Sequence, residues 1–280
     1  MKLKRISLWA ILLLQVCVLQ AQNSKLVPLW ETDSVFKVPE SVLFDAGSNL
    51  LYVSNIDGRE PWGKDGKGSI GRMRPDGSVL QVEWVQGLNA PKGMALHKQQ
   101  LVVADIQELV WIDVRKASIV RKLAIENAIA LNDVTMDERG TVYVTDSRGR
   151  KVYRVANNQA TVLLDSNQLR GPNGIKWIKG RLYVLDAGAL LRYNPDGTIT
   201  RLAEGMEGGT DGLEQVNATT FLVSCWSGVM YLVQTNGAKQ LLLDTRPQKM
   251  NTADIGWDAR KRIVYIPTFW KNTVAAYQLQ

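Results

Sequence analysis

Four oxygen-bearing side chains recur in the same kind of phrase along this chain. Glu40 stands in Pro39–Glu40–Ser41–Val42, Asn132 in Leu131–Asn132–Asp133–Val134, Asn173 in Pro172–Asn173–Gly174–Ile175 and Asp211 in Thr210–Asp211–Gly212–Leu213. Each phrase is a short polar opening that runs into an apolar strand, followed by a turn and a second apolar strand. Two carboxylates and two amide carbonyls form a hard, all-oxygen donor set with no His or Cys in it. Such a set suits Ca²⁺, and Mg²⁺ or Mn²⁺ less well, rather than zinc or copper. Two negative charges balance a divalent ion, and four ligands leave coordination positions for water or a substrate. The competing reading is local: Asn and Asp at strand starts also make Asx turns.

Residues so far apart can share an ion only if the fold repeats, and the chain does repeat. Leu50–Ser54, Leu101–Ala104, Val142–Thr145, Leu182–Leu185, Phe221–Ser224 and Ile263–Ile266 are six versions of one short apolar strand. The slot ahead of the preceding strand falls at Glu40, Lys92, Asn132, Asn173, Asp211 and Ala253, at spacings of 52, 40, 41, 38 and 42. A period near forty in a sequence of short strands and Asp-Gly or Asn-Gly turns predicts an all-β, six-bladed β-propeller, one four-stranded sheet per period. The last unit runs out at Thr273–Leu279, its third strand. Its outer strand is expected from Leu26–Trp30, so that both chain ends share one blade and the ring closes without open edges. In a propeller the innermost strands line the axial channel, which would bring the slot residues together.

The other two slots differ. Lys92 places an ammonium among the oxygen donors, able to meet a ligand anion or a developing oxyanion, or else to point into solvent. Ala253 offers nothing, although Asp254 follows it. The first interval is longer because of Asn55–Ser69, a Gly-rich, charged loop containing Trp62; it is either a lid over the channel or an ordered surface insertion. Asn55, Asp105, Asp146 and Asp186 end second strands and read first as turn-forming residues, while Trp226 and Trp270 are candidates for an apolar pocket wall. His97, the one histidine, aligns with hairpin turns away from the slots.

Residues 1–22 read as a secretory signal peptide: Lys2, Lys4 and Arg5, an apolar run from Leu8 to Leu19, then Ala21–Gln22. This predicts a propeller domain over residues 23–280, secreted or periplasmic, with no membrane span. Without the leader the formal charge falls from +7 to +4, since three basic residues leave and no acid does. With no block of like charges, nucleic acid is not an expected partner. A single cysteine, Cys225, remains, so no intrachain disulfide is possible and stability must come from burial. The expected partner is a small molecule and the expected state a monomer.

On the Glu40, Asn132–Asp133, Pro172–Asn173–Gly174 and Asp211–Gly212 phrases, nearly the whole chain after the leader resembles the SMP-30/gluconolactonase/LRE-like family of calcium-binding six-bladed propellers, related more distantly to strictosidine synthase-like proteins and paraoxonases. The resemblance implies that Glu40, Asn173 and Asp211 hold Ca²⁺ with Asn132 beside metal and substrate. It also implies hydrolysis of a lactone or related ester: the metal polarises the carbonyl, and Asp211 helps to activate water or to relay through it. Lys92, from its own slot, joins Asp211 and Asn132 in the expected catalytic set. Three departures stand against a simple transfer. Ala130 occupies the position where sugar lactonases of the family carry an arginine. Paraoxonase-like histidines are missing, and the last blade has Asp254 but no glutamate of the strictosidine synthase type. The rival expectation is a non-catalytic propeller with a structural metal and a rim that binds a sugar, peptide or protein.

Overall fold

The computed structural model describes residues 24–280, so the signal-peptide reading of residues 1–22 lies outside the described residues. Six four-stranded antiparallel sheets are arranged as the blades of a propeller. The inner strands are Pro39–Asp45, Pro91–His97, Leu131–Met136, Pro172–Ile178, Thr210–Asn217 and Gly256–Asp258, in blades one to six. The expected third blade is found almost residue for residue, as Leu131–Met136, Val142–Asp146, Lys151–Ala156 and Gln159–Leu164. Ring closure is also as expected. Leu26–Glu31 pairs with Val274–Leu279, giving the sixth sheet one strand from the start of the chain and three from its end.

Period-two alternation explains why the blades pack face to face. Apolar residues of one sheet meet those of the next in separate inter-blade clusters, for example Tyr143, Val152, Ile175, Leu182 and Val184 between blades three and four. Tyr143 and Trp177 stack there with ring centroids 5.1 Å apart. Across the closure, Phe36, Leu51 and Val53 of the first blade region pack on Tyr265, Val274 and Ala276 of the last. No helix among the described residues is long and apolar enough to cross a membrane.

The inner strands carry the feature that builds the site. In blades two to five each enters its sheet with a single pairing, Pro91 to Asp105 or Pro172 to Asp186 for example, and ladder pairing resumes after two skipped residues, at Met94 or Ile175. The two residues between bulge out of the ladder. In blade one only Glu40 is skipped, between Pro39 and Ser41, and in blade six Ala253 and Asp254 precede the strand, with Asp254 bridged to Ser41. The first residue of each pair is the slot residue. The second is Ser41, Gly93, Asp133, Gly174, Gly212 or Asp254. The glycines are there for space: a Cβ on Gly174 would lie 2.1 Å from the Asp211 backbone oxygen, and one on Gly212 would lie 2.4 Å from the Ile255 nitrogen.

A bulge frees backbone N–H groups, which must then find other acceptors. Hydroxyls on the second strands accept three of them: Ser41 N donates to Ser54 Oγ (2.9 Å), Asp133 N to Thr145 Oγ1 (2.9 Å) and Gly212 N to Ser224 Oγ (2.8 Å). The strand-end acids do the same just ahead of the slots. Asp105 accepts from Asn89 N and Ala90 N, and Asp186 from Arg170 N and Gly171 N. They are structural clamps, as the turn reading expected, and each sets the backbone two and three residues before a slot. Asp146 accepts three such bonds, from Ile129 N (2.9 Å), Ala130 N (2.9 Å) and Gly149 N (2.8 Å). Asp146→Ala should therefore destabilise the fold by about 2–4 kcal/mol, because three amides, one buried and two half-buried, lose their acceptor. The urea midpoint is the measurement, and an unchanged midpoint would refute the clamp.

Candidate active site in the axial cavity

The slots converge. Glu40, Lys92, Asn132, Asn173 and Asp211 line one cavity of about 240 Å³ at the axial channel, together with Pro61, Trp62, Gly209, Trp226 and Phe269. All four oxygen-bearing residues and the lysine from the sequence reading are thus in one place. Ala253 is buried in an apolar cluster with Val38, Ile56, Ala90, Ile106 and Phe269 around the channel. Among the described residues no three His, Cys, Asp or Glu side chains gather as a metal cluster, and this set has only two acids, with amides completing it.

The oxygen donors are held ready. Glu40 Oε2, Asn173 Oδ1 and Asp211 Oδ1 are buried and have no hydrogen-bond partner. Native structures leave few such atoms unpaired, and these three converge on one cavity with acceptor capacity open to a ligand or water. Asn132 Nδ2 donates to Ser147 Oγ (3.1 Å), whose hydroxyl donates to the Pro172 carbonyl (2.7 Å), so the amide is fixed with its nitrogen side engaged. Local Asx turns, the competing explanation, do not account for the three orphaned oxygens.

The electrostatics point the same way. Burial pushes the Glu40 carboxyl up to about 8, with Lys92 opposing the rise and Asp254 adding to it. Asp211 is raised well above the carboxylate range by burial and by Glu40 and Asp254, against the pull of Lys92 and of the neighbouring Asn173 side chain. Burial pulls Lys92 down to about 8 despite Glu40 and Asp211. Two buried acids with one buried base leave a cavity floor short of positive charge. The donor chemistry and the orphaned oxygens both fit a hard divalent cation.

Lys92 does not point into solvent; it is 2% exposed. Its Nζ donates to the Pro61 carbonyl (2.7 Å) and lies 4.6 Å from the centre of the Trp62 ring. The Asn55–Ser69 loop therefore reaches over the cavity, and its Pro61–Trp62 pair forms part of the wall. Trp226 forms another part and meets Phe269 edge to face (centroids 5.4 Å), and Trp270 meets Phe269 in the same manner (4.8 Å). Ala130 is fully buried, with its amide on Asp146, so no side chain reaches the cavity from that position.

Sequence reasoning missed what lies one ring deeper. Asp254 does not lean in beside the four donors; its Oδ2 accepts from Ser41 Oγ (2.5 Å), and it lines a smaller axial space with Asp133, Lys176 and Glu214. Asp133 ties blade three to blade four by accepting from Ile175 N (3.1 Å). Lys176 pairs with Glu214 at 2.5 Å. The signal was in the phrases themselves: the residue after the slot is Gly in three copies, leaving axial room for Asp133 and Asp254 in two others.

No protein-family model and no curated protein matches the chain by sequence. Solved structures do match by shape. A gluconolactonase from Xanthomonas campestris is 16% identical, with 88% of this chain and 87% of that one covered at a TM-score of 0.65. A catalytically inactive histidine-to-alanine variant of virginiamycin B lyase from Staphylococcus aureus, solved with quinupristin, is 12% identical, covering 92% and 99% at 0.63. A chain of a nidogen–laminin complex is 18% identical, covering 79% and 84% at 0.66. The likeness is one of fold. A gluconolactonase, a lyase and a member of a protein–protein complex share these blades, so the site must carry the functional argument.

Proposed function

We propose that the chain is a calcium-dependent hydrolase of a small lactone or ester, similar in its site to the SMP-30/gluconolactonase family and exported after loss of residues 1–22. The observation that carries this reading is the set of three orphaned buried oxygens, on Glu40, Asn173 and Asp211, in one cavity with Lys92. Glu40, Asn132, Asn173 and Asp211 would hold the ion, with Mg²⁺ or Mn²⁺ as weaker substitutes. When bound, the ion supplies Lewis-acid polarisation of a substrate carbonyl and stabilises charge on its oxygen. Asp211 orients and deprotonates the attacking water, Asn132 positions the carbonyl group, and Lys92 offsets the negative charge that develops. Trp62, Trp226 and Phe269 exclude bulk water and pack the rest of the ligand. A lyase reading has less support, because the one histidine, His97, lies at the far end of the inner strand that begins at Pro91.

The rival is a binding propeller with a structural ion, favoured by Ala130 and by the exposed rim tryptophans, Trp226 and Trp270. A panel of lactones and aryl esters, assayed with Ca²⁺ and with chelator, separates the two. Chelator-sensitive turnover of at least one compound is the expected result. No turnover of any, together with a melting temperature that still falls on chelation, would replace the hydrolase with the binding protein.

A further inference from the structure

The cavity is charged in a way that a neutral substrate would not satisfy. Its floor holds two carboxylates, on Glu40 and Asp211, and one ammonium, on Lys92. A divalent ion that takes the place of their protons is balanced by the two carboxylates, which leaves the Lys92 ammonium as the floor's uncompensated charge. A second cation lies close by, outside the cavity's own lining: the Arg148 guanidinium is 4.9 Å from the centre of the same Trp62 ring that Lys92 approaches. Arg148 is exposed and makes no ion pair among the described residues, whereas Arg246 and Lys271 on the same rim are paired with acids. Lys92 has three N–H donors, and the Pro61 carbonyl is the one protein acceptor it meets. Two cations without ion pairs therefore lie 4.6 and 4.9 Å from the centre of one tryptophan ring, in the wall of a cavity that Trp226 and Phe269 also line. A buried amino group with unused donors, next to a bound divalent ion, is best completed by an anionic acceptor.

We infer that the substrate is a small planar anion: a monocyclic lactone or ester carrying a carboxylate that Lys92 and Arg148 receive while its ring lies between Trp62 and Trp226. The inference rests on reading the cavity as the hydrolytic site. Size agrees, since a cavity of about 240 Å³ lies just below the range of about 300–1,000 Å³ that drug-sized ligands occupy, as a one-ring ligand requires. It also accounts for Ala130. A neutral polyol needs hydrogen-bond donors around its hydroxyls, and this cavity presents instead a concentrated positive charge and apolar faces.

The test is a binding measurement. The mature chain in calcium is titrated with phenylacetate and with its neutral isostere phenylacetamide, and tryptophan fluorescence reports occupancy beside Trp62 and Trp226. Phenylacetate should bind about tenfold tighter or more, the scale of one charge-assisted hydrogen bond. The preference should shrink in Arg148→Gln and vanish in Lys92→Gln, with thermal melts showing that both variants fold. Equal binding of the two probes, no binding of either, or an undiminished preference in folded Lys92→Gln would overturn the inference; if Lys92→Gln does not fold, the wild-type comparison and Arg148→Gln decide. Turnover separates this from the hydrolase reading. Carboxylate preference without hydrolysis of any lactone or ester defeats the hydrolase alone, and hydrolysis of γ-butyrolactone as fast as of its γ-carboxylate, with no binding preference, defeats the anion alone.

Discussion

Asp211→Asn should move stability in opposite directions depending on calcium. In chelator the wild-type chain keeps Asp211 and Glu40 buried near each other with only Lys92 to offset them. An amide of the same shape removes one uncompensated buried carboxyl, so the variant should melt higher than wild type. In calcium the order should invert. An ion present at a thousandfold excess over its Kd adds about 4 kcal/mol to the folded state, and the variant loses most of it with one charged ligand gone. Glu40→Gln should repeat the pattern.

The pH dependence of that crossover has a definite sign. Both carboxyls are raised by burial, so the folded, metal-free chain binds protons more tightly than the unfolded chain, and its stability must fall as pH rises. For Glu40 the loss begins above the unfolded carboxylate range and runs through about 8. In chelator the advantage of the amide variants should widen from pH 5 to pH 8, whereas calcium should flatten the wild-type profile by taking the place of the protons. Differential scanning calorimetry at several pH values, with and without calcium, is sufficient. If Asp211→Asn melts below wild type in chelator, or if calcium stabilises variant and wild type equally, the axial cation site is wrong.

Gly174→Ala is the second large effect, and its cause is spatial. The new Cβ would meet the Asp211 backbone oxygen at 2.1 Å and Leu185 Cδ1 at 2.8 Å. No rotamer relieves a collision between two backbones, so the inner strands of blades four and five must separate. The expected cost is about 3 kcal/mol or more, at the upper end of overpacking, which corresponds to a fall of roughly 6–12 °C in melting temperature. Because the two slot residues Asn173 and Asp211 would move apart, cation affinity should fall with stability. Gly171→Ala is the control. It lies three residues away with no heavy atom within 4 Å of its Cβ, and it should change stability by no more than about 0.5 kcal/mol. Equal effects from both substitutions would show that the bulge is not tightly packed.

Much of this protein was written in its linear order. The six strand phrases and their period give the propeller, because each blade must bury both faces against its neighbours and only a closed ring does this without edges. The slot residues Glu40, Lys92, Asn132, Asn173 and Asp211 were legible for the same reason: a repeat puts equivalent positions at equivalent places around one axis. Repetition also hinted at Asp133 and Asp254, in a column otherwise filled by Ser41 and three glycines.

The tertiary structure decided what repetition is blind to. Direction was one such matter. Lys92 turns inward to Pro61 and Trp62, and Asp254 turns deeper to Ser41, because those contacts lie across blades and leave no trace in local order. The Asn55–Ser69 loop was another: it breaks the period, so no copy elsewhere in the chain could show that Pro61 and Trp62 close over the cavity. Whether the four oxygen donors are used up in local turns was the last. Type and spacing allow either answer, and only the three-dimensional arrangement leaves Glu40, Asn173 and Asp211 each with a buried oxygen and no partner. A side chain's type is local, but whether its hydrogen bonds are satisfied depends on every chain segment folded around it.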